Sequence, residues 1–526
     1  MNTRREFITT VAAGLMIVPR HVLGRGFQAP SDLVNVAVVG INGMGAVNAQ
    51  AVMSQNMVAI CDCDLDLLDG KLAEWTKRAQ SPPAQRPAAP EAASAFKSHG
   101  PSKAQLAANE RWPDQDARAN LTRFVEQQLP RLQKYQDYRE MLEKQKDLDA
   151  VMIATPDHMH AVIASNAMDA GKHVYVQKPM CWSVHEARHL AKRAKEKKVV
   201  AQQGNQRHSG DENRRSVEYI QGGAIGDVHE VHVWTNRPFG FWPQGIPRPA
   251  PMPEVPENSQ SPRWRGRLLE ARLAAAMHGD FKVPEKLDWN LFLGVAPEVP
   301  YHPIYHPFNW RGWVDWGQGA LGDMGAHLID HPFWALKLGM PTIIETKSTP
   351  FNSATFPTAT TTYYEFPARG NMPAVKLTWY DGGLTPPKPP EIGDEQLNGE
   401  GGVLYIGSKG KMLQDTYGLM PRLLPQSLHD SHGTPKALLK RIAHEEHEMN
   451  WVEAIKGEAE ISCPFEYAAP LTEVMLLGIV ALRAGSKIHY DGASMRVTNQ
   501  VRLGGERVID PNQYLQRQNR AGFELT

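Results

Sequence analysis

The sequence predicts an α/β chain in two parts: an N-terminal doubly wound parallel sheet, then an α+β domain with a large mixed, mostly antiparallel sheet. Three observations predict it. The run "VNVAVVG" at 34–40 is β-branched and stops at glycine, a helical stretch follows from about Met44, and a second run, "MVAICD" at 57–62, ends in an acid. Strand, glycine turn, helix, strand is the first half of a parallel βαβ unit. The alternation resumes in "YQDYREMLEKQKDLDAVMIATPDHMHAVIASNAMDAGKHVYVQKP", with strands at 150–155 and 173–177 and a helix between them ending at Gly171. Later runs change character: "VHEVHVW" at 228–234, "AVKLTWY" at 374–380 and shorter ones near 361–366 and 403–406 alternate apolar and polar residues, as strands with one covered face do.

The chain opens "MNTRREFITTVAAGLMIVPRHVLG". Arg4 and Arg5, Phe7 and a weakly apolar run to Val18 broken by Thr9, Thr10 and Gly14 form a twin-arginine export signal over residues 1–30. Residues 31–205 read as the dinucleotide-binding domain. Within it, the pattern dissolves from about 72 to 132 into a polar, proline-punctuated stretch that reads as an inserted surface excursion. Residues 206–526 read as the second domain, with a Pro-rich loop at 243–256 and a helical segment near 261–277. The run "VMLLGIVAL" at 474–482, bounded by Glu473 and Arg483, is too short to span a bilayer and reads as a core helix.

Lys+Arg and Asp+Glu both number 57 among 526 residues, so nothing points to nucleic acid or a charged membrane surface, and a neutral small substrate fits better. Four cysteines decide little, and a bridge between Cys61 and Cys63 on one strand would be strained.

Three clusters carry chemistry. In "VVGINGMG" the residues Gly40, Asn42, Gly43, Met44 and Gly45 lie where a strand turns into a helix, so backbone amides and the helix N-terminus can receive a pyrophosphate. Asn42 stands where G-x-G-x-x-G has its middle glycine. Asp62 ends the second strand, where a carboxylate accepts hydrogen bonds from a ribose and repels a 2′-phosphate, which favours NAD over NADP. The other reading of Asp62 is a helix cap. At the carboxyl ends of the next strands come "TPDHMH", with Thr155, Pro156 and His160, and "QKP", with Lys178 positioned to meet cofactor and substrate. The third cluster, "WGQGALGDMGAHLIDHP", sets Asp323 and His327 four apart on one helix face, where the carboxylate can orient the imidazole. No metal is expected: His302, His306, His327 and His331 lack a cysteine or second acid to complete a set.

These clusters, in this order, resemble the glucose-fructose oxidoreductase, inositol dehydrogenase and rhizopine-catabolism (Gfo/Idh/MocA) family, and more closely its exported bacterial branch. The likeness runs from the leader through "HVYVQKPM", "GNQRHS" and "YHPFNWRGWVDWGQGALGDMGAHLID" to the tail "LTEVMLLGIVALRAGSKIHYDGASMRVTN". It implies an NAD-dependent oxidoreductase of a sugar, glycoside or cyclic polyol. Lys178 would bind substrate and stabilise the alkoxide, Asp323 would steer the imidazole, and His327 would accept the proton of the reacting hydroxyl. Pro156 and His160 match positions flanking the nicotinamide, and Asn205, His208, Trp310 and Arg311 are the residues expected to hold the ring hydroxyls. Gln177 replaces the family's usual glutamate. A homo-oligomer, dimer or tetramer, a periplasmic location and a mature form free of the membrane complete the expectation. A twin-arginine signal fits a cofactor loaded before export. Two rivals stand beside this reading: an NAD-dependent, redox-neutral glycoside hydrolase, and a non-catalytic sugar-binding protein.

Overall fold

The computed structural model describes residues 32–82, 101–112, 114–254, 266–503 and 507–526; the segment read as a twin-arginine signal lies outside them. The first sheet contains β1 (Asn35–Val39), β2 (Asn56–Cys61), β3 (Gln133–Tyr135), β4 (Ala150–Ile153), β5 (His173–Gln177) and β6 (Ala201–Gly204), in the order β3-β2-β1-β4-β5-β6. Every pairing is parallel. A parallel sheet must be covered on both faces, and β1 shows how the sequence does it. Val36 and Val38 enter one apolar cluster, while Ala37 and Val39 enter another on the opposite face. The strand order reverses between β1 and β4, and that reversal opens a crevice at the carboxyl ends of the strands.

The second sheet holds β7 (Val228–Thr235), β8 (Ile343–Ser348), β9 (Thr360–Phe366), β10 (Val375–Tyr380), β11 (Gly401–Gly407), β12 (Lys411–Asp415), β13 (Arg422–Leu424), β14 (Ile488–Asp491) and β15 (Arg496–Val497). Its order is β13-β12-β11-β7-β10-β9-β8-β14-β15. Among these strands β7 and β10 pair parallel and the remaining pairs are antiparallel. The predicted fold class is therefore the observed one. The apolar run at 474–482 belongs to the helix Phe465–Ala484, which packs on the helix Val184–Lys197, on β8 and on the helix Gly319–Leu328. Long and apolar enough to cross a membrane by composition, it has 83% of its most apolar window buried inside the protein, which is the burial of a core helix.

Two organisational expectations need correction. The excursion is narrower than 72–132. The helix Leu65–Gln80 runs on past 72, started by Asp64, whose side chain accepts from the amides of Asp66 and Leu67. Its Leu72 and Trp75 are buried with Leu121 and Phe124, and the Trp75 and Phe124 rings meet edge to face at 5.6 Å. Widely spaced apolar anchors in a polar stretch suffice to hold a flank of the sheet. Nor does the boundary expected near 205 separate the two parts in space, because the chain returns. Met449, Trp451 and Val452 of the helix His447–Ile455 pack into the same cluster as Val36 and Val38. The C-terminal Thr526 bonds Ser165 and Asp169 on the helix His160–Asp169.

Candidate active site

The crevice at the strand-order reversal is a cleft of about 540 Å³, lined from both sheets by residues including Gly40, Asn42, Gly43, Met44, Asp62, Thr155, Pro156, Lys178, Trp310, Arg311, Asp323 and His327. On the first-sheet side the wall is backbone. A Cβ on Gly45 would fall 1.8 Å from the carbonyl oxygen of Gly40, and one on Gly40 would fall 2.7 Å from that of Ala154, so turn, helix and β4 approach as only glycine allows. Gly43, at φ +54°, begins the helix Met44–Ala51 with no side chain capping it and no acid in its first turn. The Gly45 amide bonds the Asn42 carbonyl at 3.1 Å, and with no side-chain cap the neighbouring amides are left for a ligand, for which an anion is what such a terminus takes. Asn42 in place of the middle glycine is accommodated because the positive φ falls on Gly43.

Asp62 ties this turn to β2. Its Oδ2 accepts from the Ile41 amide and its Oδ1 from the Asp64 amide, both at 3.0 Å. Burial pushes its carboxyl up to about 6 against those two hydrogen bonds. The helix cap is Asp64, so Asp62 remains available at the cofactor end of the cleft.

Lys178 closes β5, and its Nζ lies 2.7 Å from Asp323 Oδ1 and 2.8 Å from the Asp323 carbonyl oxygen. Both side chains are largely buried, 13% and 18% exposed. Burial alone would raise Asp323, but Lys178 and Arg311 hold its carboxyl below the ordinary carboxylate range. A pair of this kind attracts by roughly 4 kcal/mol at an effective dielectric near 20. Desolvation of the two ions costs several kcal/mol each. The bridge is therefore a poor stability device, and its presence in a cleft points to chemistry.

His327, one turn after Asp323 on the helix Gly319–Leu328, is not held by it. Its Nδ1 is 2.9 Å from Asn205 Oδ1, and the same amide donates Nδ2 to the Ala326 carbonyl at 2.8 Å. That second bond fixes which end of the amide is oxygen, so His327 Nδ1 donates and Nε2 keeps its lone pair. Burial and the Lys178 charge lower the imidazole pKa well below its usual value, leaving it neutral at pH 7. The expected steering of His327 by Asp323 is thus replaced: Asp323 partners Lys178, and Asn205 orients the histidine. Helical spacing correctly put both residues on the cleft face but could not show that an amide from after β6 reaches the ring.

Three expected contacts are relocated. Asn205 is behind His327 instead of lining the cleft. His208 is buried elsewhere, its Nδ1 at 3.0 Å from Asp330 and its ring stacked on Trp334 at 4.0 Å. His160 Nδ1 and Nε2 lie 2.8 Å and 2.9 Å from the carbonyl oxygens of Pro179 and Thr155, to one of which its single N–H donates, so the ring sits beneath the lysine loop. Gln177 donates to Asn48, which donates in turn to Glu448, so this hydrogen-bond chain meets a carboxylate one layer back. Among the described residues no set of three His, Cys, Asp or Glu side chains is disposed to hold a metal. His302 bonds the Met277 carbonyl, His306 faces Asp64 at 3.5 Å and His331 meets Gln414.

The structure adds four residues that sequence reasoning passed over. Asp157, inside the quoted "TPDHMH", lines the cleft beside Lys178, Arg311 and Asp323, and burial pushes its carboxyl up to about 8. Arg237 and Phe241 come from the loop after β7, the guanidinium lying 3.4 Å over the ring. Tyr417, at φ +65°, sets its ring edge-on to His327 at 5.1 Å. Asp157 had a signal in the sequence, an acid at a strand's carboxyl end; the other three sit in irregular segments with none.

A family model described as "Oxidoreductase family, NAD-binding Rossmann fold" (GFO_IDH_MocA) matches residues 91–205, and one described as "Oxidoreductase family, C-terminal alpha/beta domain" matches residues 274–347. The first part of the chain is accordingly an NAD-binding Rossmann domain. Levoglucosan dehydrogenase of Pseudarthrobacter phenanthrenivorans is 33% identical over 92 residues, 18% of this chain and 23% of that protein. Glycosyl hydrolase family 109 protein 1 of Shewanella sp. ANA-3 is 30% identical over 91 residues, 17% of this chain and 20% of its own length. These matches span a quarter or less of the relatives concerned. The WlbA dehydrogenase of Bordetella pertussis, solved with NADH and UDP-GlcNAcA, superposes with a TM-score of 0.51 at 14% identity, covering 87% of this chain and 99% of the other, which shows a shared fold.

Proposed function

We propose that the chain is a Gfo/Idh/MocA oxidoreductase that oxidises a hydroxyl-bearing carbon of a sugar, glycoside or cyclic polyol with tightly held NAD. One observation carries the reading. Lys178 Nζ, paired with Asp323, shares a single cleft with the lone-pair nitrogen of His327, next to a glycine cradle that a Cβ would fill. When bound, the dinucleotide supplies the electron-pair acceptor. The residues do the rest. Lys178 donates to the substrate oxygen and stabilises it as its proton leaves. His327 Nε2 takes that proton, and Asn205 Oδ1 accepts from the imidazolium's Nδ1. Asp323 keeps Lys178 placed, and Tyr417 limits the tilt of the histidine ring.

The twin-arginine pattern supports a periplasmic protein exported already folded around its cofactor. Where free NAD is scarce, the bound cofactor must be regenerated in place by a second substrate. Asp157 favours a second reading, a redox-neutral glycoside cleavage, because an acid held protonated beside an ionised carboxylate is the pair that expulsion of a leaving group uses. Denaturing protein purified with its signal intact in the exporting cell should release about one dinucleotide per chain. A sugar and glycoside panel followed by product NMR then separates the readings. Keto products with reduced cofactor support oxidation, released aglycone with no net reduction supports cleavage, and binding without either product supports a sugar-binding protein.

A further inference from the structure

The cleft is more basic than the chain. Lys178 is matched by Asp323, but two further cations line it, Arg237 and Arg311. Arg311 gives Nη1 to the Phe308 carbonyl at 3.0 Å and lies 4.3 Å over both the Phe308 and Trp310 rings. Its other N–H groups meet no acceptor among the described residues. Arg237 gives Nη1 to Asn236 Oδ1 at 2.6 Å and stacks on Phe241. The carboxylate nearest to it, Asp323 Oδ2, is 4.0 Å away and belongs to a group already bonded to Lys178. Stacking on a ring strips part of a guanidinium's hydration and fixes its plane, while its edge stays free for a forked acceptor.

The acids of the cleft do not balance these two charges. Asp62 accepts from two backbone amides at the glycine turn, Asp323 alone faces Lys178, Arg311 and Arg237, and burial keeps Asp157 protonated up to about pH 8. Nor is the pyrophosphate an obvious partner, since its cradle is the turn Gly40–Gly45, whereas Arg237 flanks Asp323 at the reacting end. The composition, neutral over the whole chain, had suggested a neutral substrate; the local charge does not.

We infer that the substrate is an acidic sugar, whose carboxylate or phosphate is received by Arg237 and Arg311 while the aromatic rings of Phe241 and Trp310 flank its apolar faces. This rests on the sugar oxidoreductase reading, and the test separates the two. The protein with its bound dinucleotide is titrated, by tryptophan fluorescence and by calorimetry, with matched sets: glucose, glucuronate and glucose 6-phosphate, then the galactose and mannose equivalents. At least one acid should bind about tenfold or more tighter than its neutral parent at low salt, with the advantage shrinking as salt rises. The uronate and phosphate arms identify which anion is meant. In Arg237→Gln and Arg311→Gln the acid-to-neutral ratio should fall toward one, and Arg311→Lys should recover part of it, with melting temperature and retained dinucleotide reporting folding. Neutral sugars binding as well as every matched acid, or a ratio unmoved in both glutamine variants, overturns the inference. Oxidation of neutral sugars with no acid preference leaves the oxidoreductase reading standing and removes this one. Acid binding with the arginine dependence but no oxidation or cleavage of any sugar does the reverse.

Discussion

The two walls of the cleft are made of different material. The wall from the parallel sheet is mostly backbone: a glycine turn, an uncapped helix start and one aspartate bonded to two amides. The facing wall is side chain, with Asp323 and His327 on one helix and Arg237, Phe241, Trp310, Arg311 and Tyr417 on loops around it. Backbone holds what is invariant in a reaction, the cofactor, and side chains carry what must be protonated, oriented or varied. Lys178 stands at the join, on a strand end of the first sheet but ion-paired to the second domain.

The comparison breaks hardest at the chemistry. His327→Ala and Lys178→Ala should each lower single-turnover reduction of the bound NAD by about a thousandfold while the dinucleotide stays in place. The double variant should be little worse than the poorer single, because both groups act on one hydroxyl. Fully additive losses would separate their roles.

The opposite damage is expected from the backbone wall. In Gly45→Ala the new methyl must displace the Gly40 carbonyl, so the turn opens and about 1–3 kcal/mol of stability goes with it. The purified variant should carry almost no dinucleotide although His327 and Lys178 are untouched. Full retention would mean that the cradle is not at this turn.

The same division decided what was legible beforehand. Backbone sites announce themselves locally, since Gly40, Gly43, Gly45 and Asp62 follow from chain geometry within one βαβ unit, and the parallel sheet followed from its continuous β-branched runs. Asp323 and His327 were visible through helical spacing. Asn205 was visible as a polar residue after β6 but misassigned to substrate, because only the tertiary fold brings it under the histidine. His208 shares the "GNQRHS" segment, yet the chain turns it toward Asp330. Arg237 and Tyr417 lie in loops whose course depends on the second sheet closing, which no local pattern encodes.

Asn205 sharpens the comparison, as a residue at the end of the first sheet that acts only through the second domain. Asn205→Leu should cost about ten- to a hundredfold in kcat, as loss of a partner that fixes a ring tautomer does. Asn205→Asp should recover part of the rate. Its carboxylate favours the imidazolium, so the acidic limb of the kcat profile should move to higher pH. An Asp variant with an unshifted limb would show that the contact to His327 Nδ1 does not tune the base.

The smallest effect falls on Asp157, an acid that the backbone wall places at the reacting end. Burial raises its carboxyl to about 8, opposed by Arg311 and Lys178 and reinforced by Asp323. Between about pH 4, where the unfolded carboxyl releases its proton, and about pH 8, the folded protein holds a proton that the unfolded chain does not. Stability from this group therefore falls as pH rises through that window. Asp62 and Asp381, also raised to about 6, slope the same way, so the wild-type curve alone cannot assign the effect. Asp157→Asn keeps the shape and cannot ionise. Its melting temperature relative to wild type should climb by a few degrees from pH 4 to pH 8 and level off above. Parallel curves for the two proteins would mean that Asp157 is ionised in the folded state at neutral pH. The cleft would then hold one more negative charge, and the redox-neutral cleavage reading would lose its acid.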